Sequence, residues 1–144
     1  MSTFSRFGCI DIIDMKTNSR NKKYTLEYVI RSSPVILFEF LSTPSGLAQW
    51  FADGANQIHD EFIFTWEGNK QKARIVEQVE NEKIKFRWEG SPADEYVEFK
   101  ITHTEITGDT VLLITDFANP KEMDDSQKLW DSQIHELKLR IGGL

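Results

Sequence analysis

Alternation is the clearest pattern along the chain. Tyr24–Ile30 sets Leu26, Tyr28 and Ile30 on one face with Thr25, Glu27 and Val29 between them, which predicts a strand. Five further stretches read the same way. Glu61–Trp66 sets Phe62, Phe64 and Trp66 against Ile63 and Thr65. Lys72–Val79 gives Ala73, Ile75 and Val79 one face, with Glu77 as the polar member of that face and Arg74 opposite it. Lys83–Trp88 alternates Ile84, Phe86 and Trp88 with Lys85 and Arg87, and Tyr96–Thr102 alternates Val97, Phe99 and Ile101 with Glu98 and Lys100. Thr110–Phe117 is the most hydrophobic, with Leu112 and Leu113 adjacent as in a strand covered on both faces. Glu67-Gly68-Asn69, Glu80-Asn81-Glu82, Gly90-Ser91-Pro92 and Thr107-Gly108-Asp109 supply turn chemistry between them. Connections this short imply antiparallel neighbours.

Helical spacing appears in three places. Ser33-Pro34 is a capping residue followed by proline at the first helical position, and Val35, Leu37, Phe38 and Leu41 follow at helical intervals. Pro44-Ser45-Gly46 restarts the chain into a second short helix carrying Leu47, Trp50 and Phe51. The longest helix closes the chain. Asp124 and Asp125 favour its N-terminus, Trp130, Ile134, Leu137 and Ile141 form one apolar stripe, and Gly142-Gly143 stops it. The order predicts an α+β fold: a curved antiparallel sheet of about six to seven strands wrapped around a long C-terminal helix, with two short helices after the first strand. The space between sheet and helix is the candidate site.

Residues 1–22 read as an N-terminal extension or arm, with residues 23–144 as the domain; Met15 to Lys23 is polar and basic and shows neither period. Met15 is an alternative start; Phe4, Phe7, Ile10, Ile12 and Ile13 otherwise suggest an added edge element or partner-binding arm.

Composition sharpens the picture at one point. Ten Phe, four Trp and three Tyr in 144 residues are a heavy aromatic load, which implies a thick core or a lined pocket. The 17 basic and 23 acidic residues give a net charge of −6, which disfavours a nucleic-acid partner because phosphate contacts need clustered cations. The single cysteine, Cys9, rules out an intramolecular disulfide and has no neighbouring base to activate it. No stretch approaches the roughly 18 apolar residues of a membrane span, and Asp11 and Asp14 interrupt the N-terminal apolar run, so a cytoplasmic location is expected.

The run Ser33-Pro34-Val35-Ile36-Leu37-Phe38-Glu39-Phe40-Leu41-Ser42-Thr43-Pro44-Ser45-Gly46-Leu47-Ala48-Gln49-Trp50-Phe51 resembles the opening of START-like domains related to the activators of the ninety-kDa heat-shock chaperone ATPase. The closing stripe from Trp130 to Ile141 is similar to that family's last helix, so the resemblance spans about residues 24–142. It implies a helix-grip fold and a choice of roles: carrier of a hydrophobic ligand, co-chaperone module, or polyketide-cyclase-type enzyme. The fold alone does not choose among them.

A non-catalytic module binding a small hydrophobic or amphipathic ligand is the first expectation. Phe64, Trp66, Glu77, Phe86, Trp88, Phe99, Asp116, Trp130, Ile134 and Leu137 are its candidate ligand-binding residues. The same rings filling the core completely is the plainer alternative. Asp116 shares a face with Leu112 and Ile114; it either meets an apolar cleft, where desolvation raises a carboxyl pKa, or caps the strand end in water. Glu77 poses the same question, and a cyclase would use either as general base. The second expectation is an interaction module whose partner is a chaperone or another copy of the chain. His59, His103 and His135 show no metal-ligand spacing, and no phosphate-binding loop or nucleophile elbow is present, so no cofactor or metal is expected.

Overall fold

The protein, described here as a computed structural model, is seen over residues 21–142. The expected arm, with its alternative start and Cys9, lies outside the described residues except for Asn21 and Lys22. The elements are β1 (Lys22–Ile30), α1 (Pro34–Ser42), α2 (Pro44–Leu47), β2 (Gly54–Ile58), β3 (Glu61–Trp66), β4 (Asn69–Val79), β5 (Lys83–Trp88), β6 (Val97–His103), β7 (Thr110–Ala118), a 3-10 turn (Pro120–Glu122) and α3 (Met123–Ile141). All strands belong to one antiparallel sheet in the order β1-β7-β6-β5-β4-β3-β2. This is the expected α+β helix-grip arrangement. Its seventh strand, β2, escapes sequence reading because Gly54-Ala55-Asn56-Gln57-Ile58 has no apolar alternation.

The inner face of the sheet carries the alternating apolar set. Phe62, Phe64, Trp66, Ile84, Phe86, Val97, Phe99, Leu112 and Ile114 are all buried, as are Trp130, Ile134 and Leu137 on α3. Helix starts follow the expected chemistry. The Ser33 hydroxyl accepts from the Ile36 amide at 3.2 Å, with Pro34 at the first helical position. Gly142, at φ 82°, ends α3 in the left-handed conformation while its amide donates to the Lys138 carbonyl.

Two expectations need correction. The second helix is a single turn, so Trp50 and Phe51 lie beyond it, where the Leu47 carbonyl accepts from the amides of Trp50, Phe51 and Ala52. Thr43 makes the link between the helices: its hydroxyl donates to the Glu39 carbonyl at 2.7 Å and accepts from the Gly46 amide at 3.0 Å. A Cβ on Gly46 would lie 2.3 Å from the Glu39 carbonyl oxygen, so only glycine permits this approach.

The other correction concerns β4. The register to β5 shifts between Ile75 and Glu77, so a bulge breaks the period of two. Ala73 and Ile75 pair with the inward residues Trp88 and Phe86, whereas Glu77 pairs with the outward Lys85. Glu77 and Val79 therefore face outward, on the same side as Arg74, and Gln78 takes the inner side.

Candidate functional site

Nine of the ten candidate residues come together on the inner side: Phe64, Trp66, Phe86, Trp88, Phe99, Asp116, Trp130, Ile134 and Leu137. At their centre stands Phe51, which the sequence marked only as a member of a short helix. Its ring centroid lies 5.0 Å from Phe64, 5.5 Å from Trp66, 5.9 Å from Trp130 and 6.0 Å from Phe99, and it also meets Trp50, Phe86 and Trp88. Edge-to-face and offset pairs of this kind each add about 0.5–1.5 kcal/mol beyond area burial. The backbone of the same residue joins three elements. Its carbonyl accepts from Trp66 Nε1 and Gln133 Nε2, both at 3.0 Å, which ties the α2 turn to β3 and to α3. Trp50 Nε1 donates to the Phe40 carbonyl at 2.8 Å and anchors the same turn to α1.

Asp116 faces inward with Leu112 and Ile114, and it is buried. It is not a solvated strand-end cap. Trp130 Nε1 donates to Oδ2 at 2.9 Å, the Tyr24 hydroxyl to the same oxygen at 3.4 Å, and the Phe117 amide to Oδ1 at 2.8 Å. The carboxylate thus fastens α3 to β7. Tyr24 to Ser126 and Tyr28 to Asp131, the latter at 2.6 Å, fasten the helix to β1.

Glu77 is drawn away from the inner space into ion pairs with Lys83, at 3.0 Å, and Lys85, at 3.7 Å. The hydrogen bond from Lys83 holds its carboxyl below the usual range, against a smaller opposing effect of desolvation. A carboxylate held this way is a poor general base. His103 ends β6 opposite Thr110, and both it and His135 are exposed. Among the described residues no group of three or more His, Cys, Asp or Glu side chains is arranged to hold a metal ion.

Glu95 is shifted the other way. Partial burial raises its carboxyl pKa, opposed by a 3.0 Å hydrogen bond from Asn21 Nδ2 and reinforced by Asp94 and Asp116. A raised folded-state pKa contributes stability at low pH that is lost as pH rises through the folded value. Glu95→Gln should therefore raise the melting temperature at pH 7, and the gain should shrink below about pH 4, where the carboxyl is protonated folded or unfolded. Thermal melts of both proteins across pH 3–8 check this; a loss at pH 7 would mean that the Asn21 contact outweighs desolvation.

A concave site does exist beside α1. A groove of about 530 Å³ runs between α1 and the β4–β5 turn, lined by Val35, Phe38, Glu39, Ser42, Thr43, Gln78, Glu80 and Asn81. Phe38 is buried at its floor and Val35 is about half exposed at its mouth. The bulge that expelled Glu77 is what turns Gln78 into this groove. No sequence signal marks it, because its walls come from segments some forty residues apart.

A family model described as the START-like superfamily domain matches residues 18–143. Among solved structures, protein BfR322 from Bacteroides fragilis is 37% identical, over 87% of this chain and 93% of that one, with a TM-score of 0.62. The Aha1 dimer from Colwellia psychrerythraea superposes with a TM-score of 0.68 at 16% identity, covering 81% of this chain and 93% of that one. DynU16, from the dynemicin biosynthetic locus, gives 0.68 at 15% identity and matches 86% of this chain but 49% of its own. No functionally curated protein matches the chain.

Proposed function

The chain belongs to the START-like superfamily, and from that premise we propose that it is a non-catalytic binding module for a small amphipathic molecule, held in the groove between α1 and the β4–β5 turn. The observation that carries this reading is the groove itself. Its volume of about 530 Å³ falls within the range of small-molecule sites, and it sets the apolar side chains of Phe38 and Val35 among six polar or charged ones. A ligand between sheet and C-terminal helix would have to displace Phe51 from its ring contacts, which supports a ligand outside the core. The carboxylates of Glu39 and Glu80 line the groove and, among the described residues, no lysine or arginine does, so a cationic head on an apolar tail fits best.

Octylamine, cationic at neutral pH, is the probe, with octanoate as the anion of equal length. Octylamine should shift the amide resonances of Phe38, Gln78 and Asn81, and octanoate should not. Val35→Arg, which fills the mouth and halves the negative charge of the rim at an exposed position, should reduce the octylamine response at least tenfold. Equal responses to both probes, or an unchanged response in the variant, would sink the proposal.

A second reading rests on β1. This nine-residue strand pairs only with β7 among the described residues, and an open edge of that length is a template for strand addition. It supports self-association or a protein partner such as a chaperone, and the Aha1 protein named above is itself described as a dimer. Native mass spectrometry of the full chain separates the cases: a concentration-dependent dimer favours self-association, and a monomer at all concentrations removes it.

A further inference from the structure

The outer face of the sheet runs against the charge of the rest of the molecule. The chain carries −6, yet Lys70, Lys72, Arg74, Lys83, Lys85 and Arg87 all project from β4 and β5 on this face. Within the set, Arg74 and Arg87 stand directly opposite one another in the ladder. Cross-strand partners on one face have Cβ atoms about 4.5–5.5 Å apart, and like charges there are destabilising.

Acidic neighbours offset this arrangement only in part, with Glu98 standing opposite Lys85 across β5 and β6. Glu77 is occupied by Lys83 and Lys85. Arg74 has Glu61 opposite it on β3 and Asp60 at 3.3 Å from its Nε; that pair is exposed on both sides, at 71% and 59%, and so holds weakly. Arg87 is half-buried, its Nε is covered without a hydrogen-bond partner, and its guanidinium makes no ion pair among the described residues. A buried donor left unsatisfied beside a like charge costs stability and calls for a reason. The flanking cations add to the local field: Lys72 is next but one to Arg74 on β4, and Lys85 next but one to Arg87 on β5, its Nζ 4.5 Å over the Tyr96 ring.

We propose that Arg74 and Arg87 form a binding site for a phosphate-type oxyanion on the outer face of the sheet. Two guanidinium forks on adjacent strands match the oxygens of such a group, and the anion would replace their repulsion with charge-assisted hydrogen bonds. The negative remainder of the surface disfavours an extended polyanion, so the ligand is a single phosphate or phosphomonoester group.

The test compares the full chain with Arg87→Gln and Arg74→Gln in inorganic phosphate titrations at constant ionic strength, with chloride as the balancing anion. In the unmodified protein phosphate should raise the melting temperature beyond the chloride control and shift the amides of Arg74 and Arg87. Arg87→Gln should weaken that response at least tenfold. It should also melt no lower than the parent protein in phosphate-free buffer, because the like-charge pair has gone. Flotation with phosphatidylcholine vesicles, plain or containing phosphatidic acid, identifies the source. Arg87-dependent binding to the phosphatidic acid vesicles points to a lipid headgroup, and a response to free phosphate alone points to a soluble compound. Phosphate behaving like chloride, or acting equally on parent and variants, overturns the proposal; so does vesicle binding without any response to free phosphate, which would indicate a diffuse basic face.

Discussion

Replacing Phe51 by alanine is expected to cost about 3–5 kcal/mol, the upper range for truncating a buried aromatic residue. For a domain of this length that is a fall in melting temperature on the order of 10 °C. The magnitude follows from position: Phe51 is 1% exposed and its ring meets seven others, so few neighbours can move in without abandoning contacts of their own. The change should also leave an apolar hole between sheet and α3. Benzene should recover part of the lost melting temperature in Phe51→Ala and have no such effect on the parent protein. A loss under about 1 kcal/mol, or equal benzene stabilisation of both proteins, would show that the space between sheet and helix is already open. The ligand expected there from sequence would then regain its claim over the groove.

Asp116→Ala should lose about 2–3 kcal/mol, the scale of a buried donor stripped of a charged acceptor. Trp130 is fully buried, so water cannot replace the carboxylate that its indole N–H meets at 2.9 Å. Tyr24 and the Phe117 amide lose an acceptor in the same step. Asp116→Asn keeps one acceptor oxygen but turns an amide NH₂ toward a donor, and an intermediate loss of about 1 kcal/mol is expected. Urea unfolding followed by tryptophan fluorescence measures the series. Near-equal stability of all three proteins would mean that the carboxylate does not hold α3, and would return it to consideration as a reactive group.

Much of the fold is legible in the residues alone. Alternation in β1, β3, β5, β6 and β7 identifies both the strands and their inner faces, because side-chain direction in an extended chain is fixed by parity. Ser33-Pro34 and the Trp130–Ile141 stripe locate helices for similarly local reasons. The site is less legible. Glu77 shares the parity of Ala73 and Ile75 in the sequence, and a bulge between Ile75 and Glu77 reverses it. Nothing in Lys72–Val79 announces that bulge, and its consequences reach from the Lys83 and Lys85 ion pairs outside to Gln78 in the groove.

Inward positions along regular strands and helices, and the caps and turns between them, can be read from neighbouring residues, and they imply the α+β grip. Which residue fills that grip depends on how the folded segments meet. Phe51 reaches the centre because Gly46 lets the helix link close tightly and because its carbonyl is held by Trp66 and Gln133, fifteen and eighty-two residues away. Asp116 became an anchor because Trp130 arrives beside it from a separate helix. Periodicity is a property of neighbouring residues and can be read along the chain. Filling a space and satisfying a buried donor depend on residues brought together from distant segments, and those partners exist only once the chain has folded.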